Sequence, residues 1–304
     1  MDIPKYTEEA YWNDVIQQYI DGEPSIRMRH DIEYHIWEYF KDCLRQKNRF
    51  FFNHPLIPLL KSALEEHICE LKAGTEVFRA RNDDKRELWN EWDTYASAQY
   101  TPKVIADLKS RGVAEDAIEK ATQHYEKLIA TEKYQEAKAR IEAGFQGYDA
   151  KGSTAPPSSK AAEGRCNPKG VPYLYVALEK HTAIAEIRPF FKDTISLALL
   201  KPVRDLKLVD FFYEPTDTVK GTEILFNDIQ RDFSRIHKSN DGEYLITQFI
   251  AALIEYLGYD GLRFRSSLVK EGTNYVIFDK STCVVESSEL CFLSEVVYTF
   301  GRCK

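Results

Sequence analysis

Gly164-Arg165-Cys166-Asn167-Pro168-Lys169-Gly170 is followed by Tyr173-Leu174-Tyr175-Val176-Ala177 and then by Thr182-Ala183-Ile184-Ala185-Glu186. An arginine in a glycine-flanked turn precedes a short aromatic strand. The strand precedes a helix of small residues that carries a single glutamate and ends before Pro189. Strand alternation puts Tyr173, Tyr175 and Ala177 on one face and Leu174 and Val176 on the other. The aliphatic face is expected to be core, and the tyrosine face is expected to be open to an aromatic ligand. The same rhythm continues downstream. Strands are expected at 173–177, 195–200, 204–211, 262–264 and 274–278, and helices at 181–188, 221–237 and 243–256. That order is mixed α+β. No GxGxxG follows a strand, which argues against a Rossmann domain.

Upstream the reading is helical. Tyr11, Trp12, Val15, Ile16 and Tyr19 recur at helical spacing, as do Ile32, His35, Ile36, Tyr39 and Phe40, and later Ile57, Leu60, Ala63 and Leu64. Residues 1–72 therefore read as helices, and Glu76-Val77-Phe78-Arg79-Ala80 as a short strand. Residues 83–147 are rich in Glu, Lys and Ala; the run from Ala114 to Ala143 has strong helix propensity, with Gly144 as its stop. The domain reading is a helical N-terminal region at 1–73 and a second domain at 74–304, interrupted by a helical insertion at 83–147. Gly147 to Glu163 is a loop by composition, either a lid over a site or a connector.

The chain as a whole narrows the classes. Its 304 residues can bury a full core, and 43% apolar with 29% charged residues is ordinary globular composition. A net charge of −7 gives no basic footprint for nucleic acid or an anionic membrane. No apolar run opens the chain and none approaches the roughly 20 residues that span a bilayer. Cys43, Cys69, Cys166, Cys283, Cys291 and Cys303 show no CxxC pairing, so free thiols and a cytoplasmic location are expected. The seven histidines form no ligand pattern with Glu186, and no metal is expected.

The candidate chemistry is carried by a few polar side chains. Arg79, beside Arg81 on the short strand, and Arg165 in the turn offer guanidinium forks suited to phosphate oxygens. Taken singly, an arginine is more often a surface ion-pair partner, and a strand tyrosine such as Tyr175 more often core. Glu186 has small apolar neighbours, so its carboxylate is expected to reach a partly buried space, where it needs a partner or a function. Far downstream, a strand ends at Ser266 and another begins at Asn274, both able to bond sugar or phosphate. Anion ligands, a stacking platform and one carboxylate suit a substrate with phosphates, a flat ring and a bond whose cleavage leaves a cation. A pyridine dinucleotide has that chemistry.

Together these elements resemble the RES domain, named for its arginine, glutamate and serine. The matching runs are Phe78-Arg79-Ala80-Arg81, Gly164–Asn167, Tyr173–Ala177, Thr182–Glu186, and Gly261–Ser266 followed by Gly272-Thr273-Asn274, in family order. Residues 1–72 resemble the helical region of a longer, HEPN-associated branch. The resemblance implies a fold related to ADP-ribosyltransferases, with mixed and antiparallel sheets around an NAD cleft. It implies an NAD-degrading activity of a bacterial toxin or defence effector, with NAD as substrate and no prosthetic group. Inorganic phosphate would be a co-substrate in a phosphorylase, water the acceptor in a glycohydrolase, and a protein group the acceptor in a transferase. Carried over by position, Arg79 and Arg165 hold phosphates, Tyr175 packs at the nicotinamide side, Glu186 acts at the ribose, and Ser266 supports it. Arg81 and Asn274 join them as substrate contacts. An antitoxin, a regulatory subunit or the chain's own helical parts would restrain the activity, and a homo-oligomer is a further expected assembly. Compact members place the first two arginines close together, whereas here the 83–147 insertion separates them.

Two other classes compete. Arg49 and His54 fit the Arg-x4-His spacing of HEPN ribonucleases, although the Phe50–Phe52 run and Pro55 suggest a helix end or a core contact. A non-catalytic module that binds ADP-ribose would have no need of Glu186.

Overall fold

A computed structural model describes residues 8–20, 26–46, 53–212, 221–234 and 244–295. In chain order the elements are α1 (Glu8–Ile20), α2 (Ile26–Gln46), α3 (Leu56–Glu66), β1 (Ile68–Leu71), β2 (Val77–Asn82), α4 (Glu87–Ser110), α5 (Glu115–Ile129), α6 (Glu132–Glu142) and α7 (Ala150–Ser153). Then come β3 (Leu174–Ala177), α8 (Lys180–Glu186), β4 (Thr194–Pro202), β5 (Leu206–Phe211), α9 (Gly221–Ser234), α10 (Leu245–Tyr256), β6 (Gly261–Arg265), β7 (Thr273–Ile277) and β8 (Cys283–Phe292). The class is α+β with mixed strand pairing. Two compact units share the chain: one of residues 1–75, 155–176 and 202–282, the other of residues 76–154, 177–201 and 283–304.

In the first unit β1 pairs antiparallel with β5, β5 parallel with β6, and β6 antiparallel with β7. Val209, Leu262 and Val276 share one face by register, as do Phe211 and Phe264. This face and the apolar stripes of α2, α3, α9 and α10 form one cluster, with Trp37, Phe40, Leu60, Phe226, Phe233 and Ile250 among its members. The N-terminal helices thus share a core with the strands of residues 206–277. Their helical spacing is what allows it: Ile36, Phe40 and Leu44 recur every four residues and are all buried.

In the second unit β2 pairs antiparallel with β4, Phe78 opposite Leu199 and Ala80 opposite Leu197. Phe78 and Ala80 pack with Ala183, Ile184 and Ile187 in and after α8. Arg79 and Arg81, one residue out of phase, point to the opposite face of β2. Residues 83–147 fold as three helices. Asp83, buried, starts α4 by accepting the N–H groups of Glu87 at 3.0 Å and Trp89 at 3.2 Å.

Several expectations need correction. Ile68–Leu71 is a strand, not helix, and β8 was not expected at all. The 114–143 run divides in two, because the Thr131 hydroxyl accepts the Tyr134 N–H at 3.3 Å and starts a new helix. The 147–163 loop contains α7, started by the Asp149 carboxylate on the Gly152 N–H at 2.6 Å. No helix among the described residues is long and apolar enough to cross a membrane.

Gly261 allows the close approach of β6 to β7. A Cβ there would overlap the carbonyl oxygen of Val276, which its own strand pairing holds in place. Gly261→Ala is expected to lower stability by at least ~2 kcal/mol, read as a fall in the urea midpoint. An unchanged midpoint would contradict this register.

Candidate functional site

The first unit holds Arg165, Tyr175, Ser266 and Asn274; the second holds Arg79, Arg81 and Glu186. The first set is built around the turn at 163–170. Tyr175 Oη accepts the Cys166 N–H at 3.0 Å and donates to Asn167 Oδ1 at 2.7 Å. Asn167 Nδ2 donates to the carbonyls of Ala162 at 2.9 Å and Val171 at 2.8 Å, closing the loop on itself. From α10, Gln248 Nε2 lies 2.9 Å from Glu163 Oε1 and 3.1 Å from each of the Gly164 and Asn167 carbonyls. Thr247 Oγ1 donates to the Arg165 carbonyl at 2.6 Å. Gly164 is required for this closeness: a Cβ would lie 2.5 Å from Asn167 Oδ1 and 2.8 Å from Tyr175 Oη.

Arg165 leaves this turn toward the end of α9. Its guanidinium donates to the Phe233 carbonyl and lies over the Phe264 ring, 5.6 Å from the centroid. A cation at a helix C-terminus is favoured by the dipole and by the unpaired carbonyls there. Phe264 pairs in register with Asn274, which is buried. Two residues beyond Phe264 is Ser266, whose Oγ accepts the N–H groups of Leu268 and Val269, each at 3.1 Å. Its own N–H donates to the Gly272 carbonyl at 2.8 Å. Ser266 therefore organises the 266–272 connection. The structure brings Arg165, Tyr175, Asn274 and Ser266 into one neighbourhood through the turn, Phe264 and the end of β6.

The tyrosine face of β3 is core rather than open platform. Tyr173 is buried, its hydroxyl donates to Glu255 at 2.6 Å, and its ring meets Phe278 at 4.7 Å. Tyr175 packs against the same cluster. Burial is the main cause that pushes the Tyr175 hydroxyl well above its ordinary value, and burial drives the Cys166 thiol up to about 12. Cys166 is thus a small core residue without nucleophilic character.

In the second unit Arg81 is engaged by the loop that follows the insertion. Its guanidinium donates to the Gly152 carbonyl and stacks on Tyr148, 4.6 Å from the ring centroid. Tyr148 is fixed in turn by its N–H on Ser196 Oγ at 2.9 Å and its hydroxyl on the Asn82 carbonyl at 3.2 Å. Glu186 is the last residue of α8, and its side chain is exposed, not partly buried as its neighbours suggested. The helix is only seven residues long, and it turns its small residues inward: Thr182 and Ala183 are buried. A cavity of about 320 Å³ lies beside Phe78, Lys180, Leu197 and Leu199, and one of about 610 Å³ lies among Glu91, Lys133, Arg140 and Lys151. No predicted site residue lines either.

Thr247, Gln248 and Phe233 were not foreseen. Thr247 and Gln248 did carry a signal: two adjacent polar residues near the start of Leu245–Tyr256, a mostly apolar helix, both buried. Of the ribonuclease pair, Arg49 lies outside the described residues, as does Cys303. His54 is buried, accepts the Leu56 N–H at 3.2 Å and packs edge-on against Phe40 at 5.1 Å, the role of a helix start and core contact. Among the described residues no group of three or more His, Cys, Asp or Glu is placed to hold a metal ion.

The family model for the RES domain matches residues 138–293, just over half of the chain. Comparison with curated proteins finds no match. Among solved structures, the M. tuberculosis MbcT–MbcA toxin–antitoxin complex aligns at 10% identity and a TM-score of 0.40, covering 78% of this chain and 93% of that one.

Tyr175→Phe removes one acceptor and one donor at buried Cys166 and Asn167 in the turn and is expected to lower stability by about 1–3 kcal/mol in urea unfolding. The raised value means that Tyr175 contributes fully below the ordinary tyrosine value of 10.0 and loses its contribution as pH rises above it. The variant's deficit should therefore shrink at alkaline pH. Equal stability of variant and wild type at pH 7 would show that the hydroxyl does not hold the turn.

Proposed function

The chain belongs to the RES-domain family, and from that premise we propose that it degrades NAD by cleaving the nicotinamide–ribose bond, with inorganic phosphate as acceptor. The observation that carries the reading is the family match itself, which runs through the turn of Arg165, the strand of Tyr175, the helix of Glu186, and Ser266 and Asn274. Arg79 and Arg81 precede the matched residues. The role follows as that of a bacterial toxin or defence effector, restrained by an antitoxin or regulatory subunit.

In this mechanism the C1–N bond breaks, neutral nicotinamide leaves with the bonding electrons, and the ribose carries positive character. The Glu186 carboxylate stabilises that charge through the ribose hydroxyls. Because Glu186 is exposed in the free protein, its field is screened until bound substrate displaces water. Arg165 and Arg79 hold phosphate oxygens and orient the reacting carbon. Ser266 and Asn274 contact sugar or phosphate, and Tyr175 acts by shaping the turn. A phosphate oxygen then bonds to C1, giving ADP-ribose 1″-phosphate.

One observation favours hydrolysis as the second reading. Arg165 and Arg81 each already donate to a protein carbonyl, Phe233 and Gly152, which reduces the donors left for a separate acceptor anion. Mass analysis of the products with and without phosphate separates the two. Phosphate-dependent ADP-ribose 1″-phosphate supports phosphorolysis. ADP-ribose at a rate indifferent to phosphate leaves a glycohydrolase. A folded protein that releases no nicotinamide in either condition contradicts both.

Glu186→Gln keeps size and hydrogen bonding but removes the charge. Its kcat is expected to fall by about 100-fold or more, with KM for NAD within a few-fold. A wild-type rate in this variant would move the chemistry to another carboxylate.

A further inference from the structure

The last turn of α9, which receives Arg165, is also held by α2. Trp37 Nε1 donates to Asp232 Oδ2 at 2.9 Å. Lys41 Nζ lies 3.6 Å from the same oxygen and 2.5 Å from Glu38 Oε1. Trp37, Lys41 and Asp232 are 1%, 5% and 7% exposed, so a carboxylate and an ammonium lie inside the packing of two helices. Apolar residues of similar size would join α2 to α9 at least as well, so buried charges call for a directional role. The next residue after Asp232 supplies one. Phe233 gives its carbonyl to the Arg165 guanidinium, and its ring packs on Phe211 at 4.5 Å and on Phe264 at 6.2 Å. Phe264 is also the ring that Arg165 covers.

We propose that Trp37, Lys41 and Asp232 are positioning residues for Arg165. Apolar contact between helices tolerates sliding and rotation. A hydrogen bond and an ion pair on one carboxylate fix the rotation of the α9 terminus. The Phe233 carbonyl then meets the guanidinium at one place, and Arg165 is presented in one rotamer to an incoming anion. Pre-ordering of this kind lowers the entropy lost on binding. It acts on the affinity for the dinucleotide and leaves bond cleavage to Glu186. In this way the N-terminal helical region belongs to the substrate-binding machinery. The inference rests on the reading of Arg165 as an anion ligand; the relay itself can be tested without NAD.

The probe is phenylglyoxal, which modifies accessible guanidinium groups, read peptide by peptide in the full chain. Trp37→Phe keeps the ring and removes the donor. Arg165 modification is expected to rise by about threefold or more, as its carbonyl partner shifts, while exposed Arg204 is unchanged. Lys41→Met should act the same way, and Lys41→Arg, which keeps the charge, should stay near wild type. Unchanged Arg165 labelling in a Trp37→Phe or Lys41→Met protein that still unfolds cooperatively overturns the proposal. If Trp37→Phe does not fold, the two Lys41 variants decide. On NAD, Trp37→Phe should raise KM about three- to tenfold with kcat within twofold, and should add nothing once Arg165→Ala is present. Independent, multiplying effects of the two substitutions also overturn it. If the wild type turns over no NAD, the functional reading falls and the labelling result still decides the relay.

Discussion

Tyr175 Oη sits between the Cys166 N–H and the Asn167 side-chain amide, and the shape of the 163–170 turn depends on that pair of bonds. A turn of this kind carries polar backbone groups into a core, where each must find a partner. The hydroxyl satisfies one from β3, Gln248 satisfies others from α10, and Asn167 closes the rest. Removing any member strands the remainder in low dielectric, so the set behaves as a unit. Its product is a fixed backbone at Arg165, a guanidinium aimed along the end of α9, and a glycine at 164 that no other residue can replace without a clash.

The elements legible in the sequence are those whose apolar residues recur at strand or helix period. Thr194–Pro202, Leu206–Phe211, Gly261–Arg265 and Thr273–Ile277 all appear close to their expected bounds, and so do α8 and α10. The strands that escaped notice are β1, which pairs with β5, and β8. Each mixes buried and exposed residues: Ile68-Cys69-Glu70-Leu71 has one buried side chain, and Cys283–Phe292 carries Glu286, Ser287, Ser288 and Glu289 in its middle. An edge strand faces water along one side and needs no continuous apolar run. The break at Thr131 was hidden for another reason: helix propensity there is high on both sides, and a single capping hydroxyl decides the boundary.

For the site, residue types were legible and their bonds were not. The arginine in its glycine-flanked turn could be read directly. That its head would meet a carbonyl 68 residues away, or that Gln248 would hold its backbone from a distance of more than 80 residues, is tertiary information. Glu186 shows the opposite failure. Small neighbours suggested burial, but α8 is too short to cover its own last residue, and the chain leaves it in a left-handed turn at Arg188 with φ of 47°. An exposed carboxylate at the close of a short helix is open to a ligand from solvent.

We propose that the turn at 163–170 grips a dinucleotide and that Glu186 acts on its ribose. The most direct measurement is a crystal structure of the Glu186→Gln protein soaked with NAD, in which slowed turnover lets intact substrate accumulate. The account predicts diphosphate oxygens within hydrogen-bond distance of the Arg165 guanidinium and the nicotinamide ribose beside residue 186. A dinucleotide bound without contact to Arg165, or with its nicotinamide ribose remote from residue 186, would contradict it.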